Sequence, residues 1–135
     1  MTAKLLYLVK QERYDLETLV SFLTMRATKS DVYDWTKLKR GLTFVKNIIK
    51  DKRIIGAKTL TDLYTWIYAA YAVHNNMKGH TGGAISMGYG IMHGKSLKKK
   101  INVKSSTESE LVGIGKYVPY SICFISVLEY ESERD

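Results

Sequence analysis

Glycine is concentrated in one stretch of the chain and divides the sequence into two parts. Six of the ten glycines among the 135 residues fall between Gly79 and Gly94. Glycine destabilises helices and permits the positive φ angles of tight turns, so this stretch favours strands and turns. The residues before it have helical spacing instead. We therefore predict an α+β fold with a helical part over residues 1–52 and a part made of strands and one helix over residues 53–135.

Two amphipathic helices are predicted in the first part. Apolar residues follow Asp15 at helical spacing, which predicts a helix that Asp15 caps. Ser30 or Asp31 begins a second helix over about residues 31–50, whose apolar positions are Trp35, Leu38, Leu42, Val45 and Ile49. The Lys37–Arg40 segment lies on its other faces. This cationic side could contact a phosphate backbone, or it could be a solvated face opposite a core stripe.

The second part predicts strands joined by a glycine hairpin. Runs rich in Ile, Leu, Tyr, Trp and Thr predict strands over residues 53–57 and 60–73. Two further strands, 82–87 and 91–96, are expected to meet across Gly88-Tyr89-Gly90, where glycine allows a tight turn.

A final helix is predicted after Lys104. Ser105-x-x-Glu108 and Thr107-x-x-Glu110 both fit a capping box, in which a hydroxyl and a carboxylate satisfy free amides at a helix start. Capping alone could account for these acids, since carboxylates suit the positive end of a helix dipole. We expect this helix to end near Pro119 and the charged residues 129–135 to fray.

Bulk composition points to an intracellular protein with polyanionic partners. Lys and Arg number 21 against 13 Asp and Glu, a net charge of +8, which favours nucleic acid over a membrane surface. The single Cys123 excludes an internal disulfide and a cysteine-based zinc cluster. Uninterrupted apolar runs are shorter than the roughly 20 residues of a membrane helix. We therefore expect the cytoplasm or nucleus and no membrane partner.

A lysine-rich segment and three histidines are further candidates for function. The segment has no acid among its five lysines, which are Lys95, Lys98, Lys99, Lys100 and Lys104. They could bind a nucleic-acid backbone, or they could discourage pairing at a strand edge. The three histidines, His74, His80 and His93, match no metal-ligand spacing, so we expect ordinary surface or turn histidines.

Several motifs resemble one family in order along the chain. Residues 102–113 (NVKSSTESELVG) resemble the Ser-Ser-Thr-Glu-Ala/Ser-Glu stretch of ribonuclease H domains in copia-type retrotransposon polyproteins. Residues 66–74 (WIYAAYAVH) and 80–86 (HTGGAIS) resemble the first strand of that domain and the turn into its second. Residues 4–8, 13–18 and 35–40 resemble the end of the preceding reverse transcriptase. The likeness extends from residue 4 to about residue 128.

The resemblance implies a partial ribonuclease-H-like fold, with a three-stranded antiparallel sheet and its first helix preceded by two helices. The family hydrolyses the RNA strand of RNA–DNA hybrids with two Mg²⁺ ions about 4 Å apart, held by carboxylates. By this resemblance Glu110 matches the metal-binding glutamate of the helix, whereas the first-strand aspartate falls on Tyr68. A phenol is neutral at pH 7 and cannot bridge two cations. The later-strand aspartate has no counterpart before residue 135, which implies a truncated, degenerate copy.

We therefore expect a retrotransposon-derived ribonuclease-H-like fragment that neither binds Mg²⁺ nor cuts RNA. The alternative is a non-catalytic basic module that binds nucleic acid through the lysine-rich segment and the Lys37–Arg40 face. A third possibility is a reading frame without a selected function. A sheet with an open edge also predicts self-association through that edge.

Overall fold

The computed structural model describes residues 2–11 and 13–134, which form two compact units over residues 1–54 and 55–135. The chain is α+β, with four α-helices and a three-stranded antiparallel sheet in the described part. Each unit is treated separately below.

The first unit contains three α-helices rather than the two that the apolar spacing predicts. They are α1 (Thr2–Gln11), α2 (Glu17–Met25) and α3 (Val32–Asn47), with a 3₁₀ turn at Tyr14–Leu16 before α2. The prediction missed α1, which is only ten residues long and would be marginal in isolation. Its buried Leu5 and Val9 belong to the same apolar core as residues of α2 and α3. Tertiary packing therefore stabilises a helix that local signals did not indicate.

The cap predicted for α3 is confirmed, but the cap predicted for α2 is wrong. The carboxylate of Asp31 accepts a hydrogen bond from the Asp34 amide at 2.9 Å, and the Asp34 carboxylate accepts one from the Asp31 amide at 3.2 Å. Arg26 then pairs with both acids, at 2.6 and 2.7 Å. Asp15 instead lies within the 3₁₀ turn, where its carboxylate pairs with Arg13 at 2.6 Å. The N-cap residue of α2 is Leu16, and no side chain caps the helix there.

Three antiparallel strands form the main sheet of the second unit. The strands are β1 (Gly56–Ala57), β2 (Tyr64–Ala70), β3 (His80–Ser86), β4 (Gly88–Tyr89) and β5 (Ile91–Lys98). The sheet has the order β2-β3-β5, and β1 pairs separately with β4. The β3–β5 hairpin is confirmed, with φ angles of 120° at Gly88 and 80° at Gly90. The strand predicted over residues 53–57 shortens to β1, and the one predicted over 60–73 shortens to β2.

The last helix, α4 (Ser106–Ser132), passes the residue expected to end it. Pro119 lies inside α4, so the predicted end near Pro119 is wrong. Of the segment predicted to fray, residues 129–132 are helical, residues 133–134 form a turn after the helix, and Asp135 lies outside the described residues. Proline removes one amide donor and its ring faces the carbonyl four residues earlier, which belongs to Gly115. Gly115 is exposed and has no side chain, so water can take the hydrogen bond that the proline cannot make.

One face of the sheet is covered by α4. The Tyr117 ring lies over Gly83, and its hydroxyl donates a hydrogen bond to the Lys95 carbonyl at 2.5 Å. Near the other end, Gly113 lets α4 approach Ala69 and Thr81 closely. The contacts between α4 and the sheet extend to Phe124, whose ring centroid is 6.1 Å from that of His93. The core of the second unit therefore lies between α4 and β2–β3–β5.

Among the described residues, α4 is the one helix with the length and apolar composition of a membrane span. Its most apolar window has a mean hydropathy of 1.6, and 11% of that window is buried. Lys116 lies within this helix and interrupts its apolar residues. Core helices of globular proteins have similar composition.

Candidate functional site

The structure brings Tyr68 and Glu110 together in one small cleft. This cleft of about 110 Å³ lies between the middle of β2 and the beginning of α4, and its lining residues are Ile67, Tyr68, Ala69, Glu110 and Ile114. Both polar side chains are exposed. Tyr68 and Glu110 thus line the same space, and we call it the Tyr68–Glu110 cleft.

Glu110 reaches this cleft because the start of α4 is fixed at its N-cap. The Ser105 hydroxyl accepts a hydrogen bond from the Glu108 amide at 3.1 Å. The Glu108 carboxylate accepts one from the Lys104 amide at 2.6 Å, one residue earlier than a standard capping box requires. The next residue, Ser109, is fully buried and its hydroxyl donates to the Ala70 carbonyl at 3.3 Å. Glu110 is therefore held beside β2.

The residues of the Tyr68–Glu110 cleft do not fit Mg²⁺. This ion requires several hard oxygen ligands in near-octahedral geometry, and two-metal hydrolysis requires several carboxylates. The cleft has one carboxylate, and its partner is a phenol. Asp62 stands six residues from Tyr68, roughly 20 Å along an extended chain. Across residues 2–11 and 13–134, no cluster of three or more His, Cys, Asp or Glu side chains is placed to hold a metal ion.

The five lysines of the lysine-rich segment do not share one surface. Lys95 lies on the face of the sheet that α4 covers, with its ammonium 5.9 Å from the centre of the Tyr120 ring. Lys98 is paired across the sheet with His80 and lies on the opposite face. Lys100 and Lys104 are exposed in the loop before α4.

Lys99 is buried, unlike Lys100 and Lys104. It is 4% exposed, and its ammonium donates to the carbonyl of Ser109 and to the Ser109 hydroxyl, the latter at 2.6 Å. Burial lowers the pKa of Lys99, and the nearby positive charge of Lys116 lowers it further. This side chain ties the end of β5 to the first turn of α4, so it is directed away from any phosphate. Charge counting along the sequence could not separate it from its neighbours.

Two of the three histidines contact each other beside the sheet. His74 Nε2 lies 3.1 Å from His80 Nδ1, and His80 Nε2 lies 2.6 Å from the Ser96 hydroxyl. Burial, with smaller contributions from the charges of His74 and Lys116, lowers the pKa of His80 to about 4. His80 is buried, which corrects the expectation of three surface or turn histidines. The third, His93, stacks on Tyr120 with ring centroids 5.6 Å apart.

The Lys37–Arg40 face lies in the first unit beside a more open cleft. Lys37 and Arg40 line this space of about 380 Å³ together with Asp15 and Phe44. The Lys37 ammonium is 3.8 Å from an oxygen of Asp34. Part of this cationic face is therefore engaged with an acid of its own helix.

Comparison of the chain with protein families, with curated proteins and with solved structures finds no match. Any assignment of ancestry or activity therefore depends on the chain's own motifs and on the geometry described above.

Proposed function

We propose that this chain is a ribonuclease-H-like unit of copia-type retrotransposon origin that binds nucleic acid without hydrolysing it. The observation that carries the proposal is the placement of Tyr68 and Glu110 in one cleft. Three antiparallel strands followed by a helix that starts beside the first of them is the arrangement implied by the motif resemblance. The resemblance implies that these two residues are neighbours in space, and their position in one cleft supports it.

Loss of hydrolysis follows from the chemistry of the cleft. A tyrosine side chain is uncharged at neutral pH and is bulkier than aspartate, so it cannot share two divalent cations with Glu110. The single remaining carboxylate gives a cation one anionic oxygen group. An exposed single carboxylate binds Mg²⁺ too weakly to organise a phosphodiester for attack.

Nucleic-acid binding is supported by the charge distribution of the strand region. Between residues 55 and 104 there is one acid, Asp62, and apart from the buried Lys99 the lysines are Lys58, Lys78, Lys95, Lys98, Lys100 and Lys104. Lys100 and Lys104 are exposed. Neutralising phosphates with lysines releases counterions, which drives binding without sequence specificity.

Self-association through an open edge of the sheet remains a prediction, and the outer edge of β2 is one such edge. In the described sheet β2 has β3 as its one neighbour. Its outer edge can therefore accept a strand from another copy.

Incubation with a labelled RNA–DNA hybrid and Mg²⁺ or Mn²⁺ tests the hydrolytic half of the proposal. We expect no metal-dependent cleavage by the natural chain, and the same background from Glu110→Gln. Tyr68→Asp alone is expected to remain inactive, because two carboxylates supply too few ligands for two metal ions. Robust cleavage by the natural chain that disappears in Glu110→Gln would overturn the proposal.

The binding half predicts a strong salt dependence. Each phosphate contact contributes about −0.9 to the slope of log affinity against log salt concentration on duplex DNA. Replacing Lys100 and Lys104 by glutamine should reduce the magnitude of the slope by about one per lost contact. Filter binding at several salt concentrations measures this. The control is Lys29→Gln in the first unit, because the ammonium of Lys99 is buried and its loss would disturb the fold. A double variant with the same slope as the natural chain would contradict the proposal.

A further inference from the structure

A row of exposed aromatic side chains runs along β2. Tyr64, Trp66 and Tyr68 alternate along the strand and therefore project to the same face. They are 40%, 55% and 74% exposed. The Tyr64 and Trp66 rings are nearly parallel, with an angle of 19° between their planes and a centroid distance of 6.1 Å. We call these three residues the aromatic row.

The residues beside the aromatic row on β3 have small side chains, and one of them, Ser86, is buried. The cross-strand partners of the row are small: Ser86 opposite Tyr64, Ala84 opposite Trp66 and Gly82 opposite Tyr68. A Cβ atom on Gly82 would meet no other atom within 4 Å. One residue along β3, Gly83 faces the Tyr117 ring of α4. The aromatic row therefore lies on the face that α4 leaves uncovered.

The positive charge of residues 55–104 favours a polyanion as the ligand of the face that carries the aromatic row. The excess of lysine over acid between residues 55 and 104 disfavours a cationic partner and gives no advantage to a neutral sugar. Lys98 is placed by strand register on the same face as the aromatic row, two strands away from it. Two inter-strand steps correspond to about 10 Å, so a backbone lying along β5 can meet this charge while its bases reach β2.

The spacing of the aromatic row suits stacked bases. Alternate residues of a strand are about 6.8 Å apart, which is twice the roughly 3.4 Å rise between stacked bases. The Tyr64 and Trp66 ring centroids are only 6.1 Å apart, so we expect bases to stack on the exposed ring faces rather than between these two rings. In a duplex the faces of each base are buried in the stack, whereas the bases of a single strand are free to stack on a protein ring. Proteins with aromatic side chains on a basic surface bind single strands by such stacking.

We propose that the aromatic row is a stacking platform for single-stranded nucleic acid. The inference rests on the nucleic-acid binding in the proposed function and adds the strandedness of the ligand and the residues that contact its bases. The aromatic row shares Tyr68 with the Tyr68–Glu110 cleft, whereas Tyr64 and Trp66 do not line that cleft.

Intrinsic fluorescence gives a direct test in the folded chain. Tryptophan occurs at two positions, Trp35 in the first unit and Trp66 in the aromatic row, so a Trp35→Phe background leaves Trp66 as the reporter. Titration with a short oligo(dT) should quench Trp66 fluorescence with saturation, because a stacked base contacts the indole. Unchanged fluorescence at oligo(dT) concentrations that saturate binding, measured in parallel by anisotropy, would overturn the platform.

Variants assign the binding to the aromatic row. Trp66→Ala combined with Tyr68→Ala should weaken oligo(dT) binding by roughly 5- to 150-fold per stacked base lost. Trp66→Phe should retain most of the affinity, and Tyr130→Ala, an exposed aromatic change at the end of α4, should have no effect. Binding to an RNA–DNA hybrid should change much less in the double variant, because duplex binding depends on lysines.

The outcomes separate the two proposals. Lost oligo(dT) binding with retained hybrid binding supports the platform. Equal retention of both ligands overturns the platform and leaves the proposed nucleic-acid function intact. Absence of binding to either ligand by the natural chain at low salt overturns both. A change in oligomeric state, rather than in oligo(dT) affinity, would assign the aromatic row to a protein contact and also overturn the platform.

Discussion

Replacement of Gly83 by alanine is expected to destabilise the second unit by about 1–3 kcal/mol, the usual cost of overpacking a filled core. A Cβ atom at this position would lie within 2.6 Å of Cζ in the Tyr117 ring. Tyr117 cannot simply move, because it is 1% exposed and its hydroxyl is hydrogen-bonded to the Lys95 carbonyl. The new methyl group must therefore push α4 away from the sheet. Urea denaturation followed by Trp66 fluorescence in the Trp35→Phe background measures the loss.

The neighbouring glycine provides a matched control on the same strand. Alanine at Gly82 meets no atom within 4 Å, and neither Gly82 nor Gly83 has a positive φ angle. Gly82→Ala should therefore be neutral or stabilising by up to about 1 kcal/mol, since alanine restricts the unfolded chain. Equal destabilisation by the two substitutions would contradict the described packing of α4 on the face of Gly83.

The parts of the fold that could be predicted from the sequence are those set by local chemistry. Asp31 is confirmed as the cap of α3, and the glycines at positions 88 and 90 do form the hairpin turn. The parts that failed depend on contacts distant in sequence. The short α1 depends on packing against α2, and α4 continues through Pro119 where the local rule predicts an end.

The candidate site divides in the same way. The motif alignment named Tyr68 and Glu110, and these residues lie in one cleft. The lysine count, by contrast, included Lys99, whose ammonium is buried on Ser109. Strand alternation could have separated Lys95 from Lys98, but only the position of α4 determines which face of the sheet is covered. The alternation of aromatic residues over 64–68 is visible in the sequence. That their side chains are exposed is known only from the structure.

Acidification from pH 6.5 towards pH 4 is expected to destabilise the second unit through His80. Burial lowers the pKa of this histidine from 6.5 to about 4 in the folded chain. Above pH 6.5 His80 is neutral in both states and has no effect on the pH dependence. Below pH 6.5 the unfolded chain takes up the proton first, so the folded state loses up to about 1.4 kcal/mol per pH unit until both states are protonated. The interval corresponds to a loss of about 3 kcal/mol.

His80→Asn tests the assignment because asparagine keeps a polar group near Ser96 and does not titrate. The deciding quantity is the slope of unfolding free energy against pH between 6.5 and 4, which does not depend on the variant's stability at neutral pH. Urea titrations with Trp66 as reporter measure it. That slope should become shallower in His80→Asn. A smaller slope should remain, because burial also lowers the pKa of His74. An unchanged slope, or a His80 ring that titrates near pH 6.5 in NMR spectra of the folded natural chain, would refute the buried neutral imidazole.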